Sequence, residues 1–394
     1  MVPQYAIWKA LPVPPLRPDA DPPRLFARAV VRLAWVALLF AQAYGVNVNA
    51  QVEAGAQVLE ERHAEEGSSR FMFIPYPITE PAIGTGLLAG PVWLREGPKG
   101  EGGPEKPQAF GAGALWTDGG SRGVVGFDYR AWDEGVWRTT IVAAKIDLDL
   151  SYPGFSPQSN ESRGFTLHTK GAGIEADKRL GESPNSLNLR VFSATASAQF
   201  DASLPDELQG QPKRSTISGV GVGWSRDTRD SVFTPSSGNV LSAGLTTYPE
   251  ALGASFDAQA ITLQWITYQG GLGKGTFGVN SKLDFSFGNP PFYLRPYISL
   301  RGVPALRYPG EQVASVEAEY RLPVNARWDV LAFGGVGTAR ADIHGFSGQK
   351  SVSTAGLGVR FKVQRLFGLT FGLDFAQGPE GEVTYIQIGN AWSK

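Results

Sequence analysis

From residue 71 to residue 394 the chain repeats one unit: about ten residues alternating apolar and polar, closed by a turn signal. In 351–363, Ala355, Leu357, Val359, Phe361 and Val363 share one parity, against Thr354, Gly356, Gly358, Arg360 and Lys362. In 367–376, Phe367, Leu369, Phe371, Leu373 and Phe375 stand against Gly368, Thr370, Gly372, Asp374 and Ala376. Segment 142–150 sets Val142, Ala144, Ile146, Leu148 and Leu150 against Ala143, Lys145, Asp147 and Asp149. Side chains along a strand point alternately to opposite faces, so each segment is a strand with one apolar and one polar surface. A soluble antiparallel sandwich gives the same alternation. These segments, however, exceed the usual five or six residues of soluble strands and match a tilted bilayer crossing. Their polar faces mix Gly, Thr, Asn and charges, as suits a wet lumen, and Trp and Tyr gather near strand ends. The expected fold is all-β, a transmembrane antiparallel barrel.

Sixteen candidate strands follow, at 70–76, 83–95, 109–118, 122–132, 136–150, 165–178, 186–200, 215–229, 239–249, 255–269, 275–288, 313–323, 327–339, 351–363, 367–377 and 382–393. An even number is what a single-chain bacterial barrel requires. Pro75 and Pro77 interrupt the first. With strand one starting in the periplasm, the turns 133–135, 179–185, 324–326 and 364–366 are short, as periplasmic turns should be. The connections 151–164, 201–214, 289–312 and 340–350 then face outward, and 96–108 breaks the rule by being long on the periplasmic side.

Composition agrees with this class: 49 glycines, 11% aromatic, 19% charged, no cysteine. The charge content lies below the usual quarter. Without cysteine there is no disulfide framework, thiolate metal site or thiol nucleophile. A net charge of −1 excludes a chain that wraps nucleic acid through a large positive field. Near the N-terminus, Arg24, Arg28 and Arg32 precede the apolar run 33–41, and Val48-Asn49-Ala50 supplies the small residues a signal peptidase needs. That is the layout of a signal peptide cleaved after Ala50, with 1–23 lying upstream of it. The apolar run is too short for a spanning helix, which needs about 20 residues. Residues 51–69 read as a polar periplasmic linker and 70–394 as the barrel.

The connection 289–312, NPPFYLRPYISLRGVPALRYPGEQ, is too long and too aromatic for a simple solvated loop. After it comes VASVEAEYRLPV, with Ser315, Glu317, Glu319 and Arg321 on one face, then RWDVLAFGGVGTA. Here the sequence resembles the BamA/TamA superfamily of outer-membrane barrels, the bacterial surface antigen family. SRDTRDSVFTPSSGNVL (225–241) is similar to the family's D-x-R-D…P-x-x-G element at a periplasmic turn. Leu300-Arg301-Gly302-Val303 resembles its arginine–glycine loop tip, and Glu319-Tyr320-Arg321 its E-Y-R strand. Residues 356–393 resemble its closing strands, with Ile388, Gly389 and Trp392 placed as in the C-terminal recognition signal; Trp392 shares a face with Thr384, Ile386 and Ile388 and is expected near the aromatic girdle. The strand count puts 289–312 between strands eleven and twelve, where the family's sixth extracellular loop belongs.

The resemblance implies that this loop folds into the lumen and that Arg301 pairs there with acids of the wall, Glu319 among them. The family's second acid lies in an F-x-D-x-G element, which here reads Phe333-Gly334-Gly335-Val336-Gly337. Gly335 replaces the aspartate, leaving Glu317 or Asp374 to take its place. Family members that fold proteins into membranes carry periplasmic POTRA domains, and segment 51–69 is too short for one. The implied location is the Gram-negative outer membrane. The implied partners are outer-membrane lipid, the barrel assembly machinery during biogenesis, and a client or periplasmic protein; nucleic acid is not among them.

Catalytic patterns are missing. His63, His168 and His344 form no H-x-x-x-H or H-E-x-x-H spacing, and there is no G-x-S-x-G and no Walker motif. No enzymatic activity and no cofactor are expected. Three readings stand: a barrel assisting protein insertion or export, a passive porin-like channel, and an outer-membrane hydrolase built on His168 and a wall serine.

Overall fold

The computed structural model describes residues 70–95, 108–152, 163–201, 214–231, 234–343, 346–362 and 370–392. The signal-peptide and linker regions 1–69 lie outside them, as do 96–107, 153–162, 202–213 and 363–369 from the expected connections. Sixteen strands form one antiparallel sheet in sequence order. They are β1 (Arg70–Glu80), β2 (Gly84–Arg95), β3 (Gln108–Thr117), β4 (Arg122–Trp132), β5 (Trp137–Tyr152), β6 (Arg163–Arg179), β7 (Asn185–Phe200) and β8 (Arg214–Asp227). The second half comprises β9 (Ser237–Tyr248), β10 (Ala258–Leu272), β11 (Gly275–Gly288), β12 (Gln312–Pro323), β13 (Trp328–Ile343), β14 (Phe346–Lys362), β15 (Thr370–Gly378) and β16 (Gly381–Ile388). The sheet curls until β16 meets β1, a nearly closed transmembrane barrel.

The polarity of both faces inverts along β5–β7. On the side of the short turns the outward residues are apolar: Trp137 and Ile141 on β5, Ile174 on β6, Leu187, Leu189 and Val191 on β7, all exposed. The inward residues at those levels are Arg138, Glu175, Asp177 and Arg190, all buried in the wall. Toward the side of segment 289–311 the pattern reverses. Lys145, His168, Lys170 and Ser193 face out, while Leu148, Leu150, Phe165, Leu167 and Phe192 are buried inside. The β5–β6 ladder runs unbroken through this change, from Trp137↔Lys178 to Tyr152↔Arg163. Solvent explains it. Within lipid an outward side chain must be apolar, whereas beyond the bilayer the same strands meet water and need an apolar interior. The apolar set of 142–150 therefore points into the barrel, the reverse of 351–363, where Leu357 is 65% exposed and Arg360 is buried.

Three expectations about boundaries need correction. β1 runs through Pro75 and Pro77, which oppose Ala89 and Leu87. Most of 340–350 is strand: β13 and β14 stay paired from Trp328↔Phe361 to Ile343↔Phe346. Here Gln349 and Ser351 side chains hydrogen-bond Thr338 Oγ1, both at 3.1 Å. Polar residues thus extend the ladder where hydropathy no longer alternates. Finally, β16 ends at Ile388 rather than 393, because Gly389 adopts φ +77 and turns the chain, its N–H bonding Thr370 O at 2.7 Å.

Candidate functional site

Segment 289–311 returns along the inner wall. Phe292, Tyr293 and Leu294 form one helical turn buried in the apolar core with Phe165, Leu167, Tyr248 and Phe256. The Phe292 ring meets Phe165 edge-on at 5.3 Å. Further on, Ile298, Leu300 and Val303 cluster with Val313, Ala339 and Val352, inward residues of β12–β14. Gly335 and Gly337 leave the room this needs, since a Cβ on them would lie 2.8 Å from Leu300 and within collision range of Ile298 respectively. The aspartate missing at 335 is thus replaced by packing space for the segment itself.

The tip delivers Arg301 into a set of acids. Its Nε donates to Glu317 Oε1 at 2.9 Å and its backbone N–H to Glu317 Oε2 at 3.0 Å. One terminal nitrogen lies 2.8 Å from Glu319 Oε2 and donates to Asp374 Oδ2 at 3.0 Å. The guanidinium stacks 3.7 Å from the Phe333 ring centroid, close enough for a strong cation–π contact. A second cation completes the cluster: Arg360 donates to both oxygens of Asp374, at 2.5 and 2.9 Å. Three carboxylates and two guanidinium groups therefore meet where every residue is at most 9% exposed. Such a buried network is favourable only when its members are mutually hydrogen-bonded. Both substitutes for the missing acid, Glu317 and Asp374, are used together.

Gly302, next to the arginine, adopts φ +92 and donates its N–H to the Tyr385 hydroxyl at 2.9 Å. The tip touches the start of the β15–β16 turn so closely that a Cβ on Gly378 would collide with the Gly302 carbonyl. Farther along, Arg307 Nε lies 2.8 Å from Glu380 Oε1, and the Tyr308 hydroxyl donates to the same oxygen. Arg321, expected among the lumen charges, stays out of the cluster. It donates to the Pro235 carbonyl and so ties the E-Y-R strand to the P-x-x-G turn. Within that turn Asp230 accepts the backbone N–H groups of Ser236 and Ser237 at 2.9 and 3.2 Å.

Trp392 also departs from expectation. Sharing parity with Thr384 and Ile386 should place it outward, at the aromatic girdle. After the turn at Gly389 it instead enters the barrel, 8% exposed, packed with Val240, Ile266 and Tyr268. Its indole N–H donates to Glu317 Oε1 at 2.6 Å. Asn390 donates to the Tyr268 hydroxyl beside it. The chain end and segment 289–311 thus converge on one carboxylate. Arg360, Tyr385 and Phe333 were not singled out from sequence, although inward parity on β14, β16 and β13 marks all three. His168, offered as a hydrolase residue, is exposed on the outer face, with Nδ1 2.7 Å from Asp147 Oδ1.

At the seam, β16 and β1 share no backbone ladder among the described residues. They meet where the Ile386 N–H donates to Thr79 Oγ1 at 2.9 Å. Thr85 bonds the β3 side through its N–H to Asp118 Oδ1 and its carbonyl to Asp118 N–H. The even residues of β2 therefore face β1, and by the register Ile78↔Gly86 the even residues of β1 face back. Pro75 and Pro77 consequently have their nitrogen, which carries no proton, toward the seam. The β1 edge lacks two of the donors a ladder would use.

No protein-family model matches the sequence, and no curated protein matches it. Among solved structures, BamA from Haemophilus ducreyi lacking POTRA domains 1–3 is similar with a TM-score of 0.58 at 13% identity, over 82% of this chain and 69% of that one. CdiB from Acinetobacter baumannii gives a TM-score of 0.55 at 12% identity, over 82% of this chain and 60% of that one. CdiB from Escherichia coli gives 0.54 at 10%, over 92% and 74%. At such identities the likeness speaks to architecture, and on that level it agrees with strand number and order: the chain has the sixteen-stranded barrel fold of the BamA and CdiB outer-membrane proteins.

Proposed function

We propose that this barrel resides in the outer membrane, with 289–311 toward the cell exterior, and assists insertion of proteins into that membrane or their passage across it. The observation that carries the reading is the seam. β16 turns the N–H of Ile386, and by parity those of Thr384 and Ile388, toward a seam whose opposite strand, β1, offers no donor at Pro75 and Pro77. An unpaired edge accepts an extended strand through main-chain hydrogen bonds. The client is thus a protein segment in extended form, and the role needs neither cofactor nor catalytic residue. Signal-peptide cleavage near Ala50 and folding by the barrel assembly machinery would bring the chain to this site. A passive channel is the weaker reading, because the apolar cluster around Phe292 and the ion network around Arg301 place segment 289–311 inside the lumen.

The test is a seam lock. The chain has no cysteine, so Thr79→Cys with Ile386→Cys introduces a unique pair. In proteoliposomes the reduced variant should accelerate folding of a urea-denatured eight-stranded client barrel, and oxidation should abolish the acceleration reversibly. Equal acceleration by the oxidised and reduced forms would refute a role for the seam. A stable, large ion conductance in planar bilayers from the unmodified chain would favour the channel.

A further inference from the structure

Two lysines stand opposite each other on the outer wall. Lys145 of β5 and Lys170 of β6 are cross-strand partners, and both are exposed. Like charges directly opposite on a sheet repel each other, with Cβ atoms about 5 Å apart. Neither ammonium is paired with a carboxylate among the described residues. The acids nearby are engaged: Asp147 with His168 at 2.7 Å and Arg122 at 3.8 Å, Asp149 with the Thr166 hydroxyl at 2.6 Å. Along the same row the neighbours are neutral, Val124 on β4 and Thr195 on β7. An unrelieved pair of cations is a poor choice for sheet stability.

Its level on the wall gives the reason. One step toward the short turns on the same face are Ala143 and Ala172, then Ile141 and Ile174, which are 47% and 45% exposed. One step the other way are Asp147 and His168. The lysines therefore form the first charged level above the lipid-facing belt of these strands, the height of lipid headgroups. We propose that Lys145 and Lys170 together bind the phosphate of a lipid headgroup in the leaflet on the side of segment 289–311. A phosphate monoester carries close to two negative charges near pH 7, which matches two ammonium groups. Acyl chains lying along Ile141, Ile174 and Val191 would hold that phosphate at the lysines, an anchorage that free phosphate lacks.

The full chain is tested in micelles containing phosphatidic acid or phosphatidylcholine with the same acyl chains. Native mass spectrometry should show phosphatidic acid retained over phosphatidylcholine, by on the order of fivefold for each lysine. The variant Lys145→Gln/Lys170→Gln should lose this preference, and Lys145→Arg/Lys170→Arg should keep it. Thermal melting supplies a second readout that a merely structural role would not produce. In phosphatidylcholine the Gln variant should melt about 1–3 °C above the unmodified chain, because repulsion is relieved. In phosphatidic acid it should melt below it. An unchanged lipid preference, a loss of stability in both micelles, or displacement of the lipid by an equal concentration of inorganic phosphate would each overturn the proposal. Should the Gln variant not assemble, loss of the preference in Lys145→Arg/Lys170→Arg overturns it equally.

Discussion

Replacing Arg301 by alanine should release segment 298–310 without unfolding the barrel. The side chain is 5% exposed and touches Glu317, Glu319 and Asp374, while Arg360 stays on Asp374. Its removal leaves three buried carboxylates sharing one guanidinium. Breaking a buried pair by removing one partner costs about 3–5 kcal/mol, because the remaining charge is uncompensated. The sixteen-strand ladder does not involve this side chain, so the cost falls on seating the segment. At about 1.4 kcal/mol per factor of ten, local opening should become roughly 10²- to 4 × 10³-fold more frequent. Amide exchange reads this directly at Ile298, Val303 and Gly310, whose N–H groups bond Tyr308, Leu300 and Pro296 carbonyls inside the segment. Amides of the β5–β6 ladder serve as the internal control and should not change. Arg301→Lys should recover only part of the protection, since one ammonium cannot reproduce the planar fork that meets Glu317 and Asp374 together. Unchanged exchange at Ile298 and Val303 in Arg301→Ala would refute the reasoning and assign the seating to the apolar contacts of Ile298 and Leu300.

Trp392→Phe keeps the packing on Tyr268 but removes the donor to Glu317; a lost buried hydrogen bond of this kind costs about 1–3 kcal/mol, read as a lower melting temperature of the refolded barrel. Deleting 391–394 should abolish assembly in cells and also lower the thermal stability of barrel refolded in detergent. Normal stability after refolding would mean that the chain end serves as a recognition signal alone. Gly378→Ala should unseat the tip, since its Cβ meets the Gly302 carbonyl, and raise protease cleavage near 302. Acid should loosen the other end of the segment. Partial burial pushes the Glu380 carboxyl up, but hydrogen bonds from Arg307 and Tyr308 outweigh it and hold it below its ordinary value of 4.5. A depressed acid contributes its full stabilisation above the ordinary value and loses it as pH falls through the folded one. Protection of Arg307 against exchange should therefore be constant from pH 7 to about 5 and drop only below about 4.5.

Much of this was legible in the sequence, and the limits have physical causes. Period-two alternation located sixteen strands because each crosses lipid with one face and lines the barrel with the other. The same rule misread 142–150: alternation gives parity and says nothing of which parity is inside once the strand leaves the bilayer. It also lost 340–350, where apolar residues such as Ala341 are too sparse to alternate and polar pairs such as Gln349 with Thr338 help continue the ladder. Arg301 is nominated by the resemblance of its loop tip, and Glu317, Glu319 and Asp374 by their charge on the polar parity of β12 and β15. Arg360 carries the same mark but lacked a named partner, and its place beside Asp374 depends on the β14–β15 register. Trp392 failed because one left-handed glycine at 389 ends the strand, and parity carries no meaning beyond it.

The account depends most on the seam as the place where a client strand is received. The direct measurement is photocrosslinking from a benzoylphenylalanine at Thr384, on the seam edge of β16, compared with one at Leu357 on the lipid face of β14. During folding of a radiolabelled client barrel, position 384 should crosslink to the client, position 357 should give background, and the seam disulfide between positions 79 and 386 should suppress the crosslink. Equal crosslinking at 357 and 384, or a crosslink at 384 that survives the oxidised seam, would contradict it.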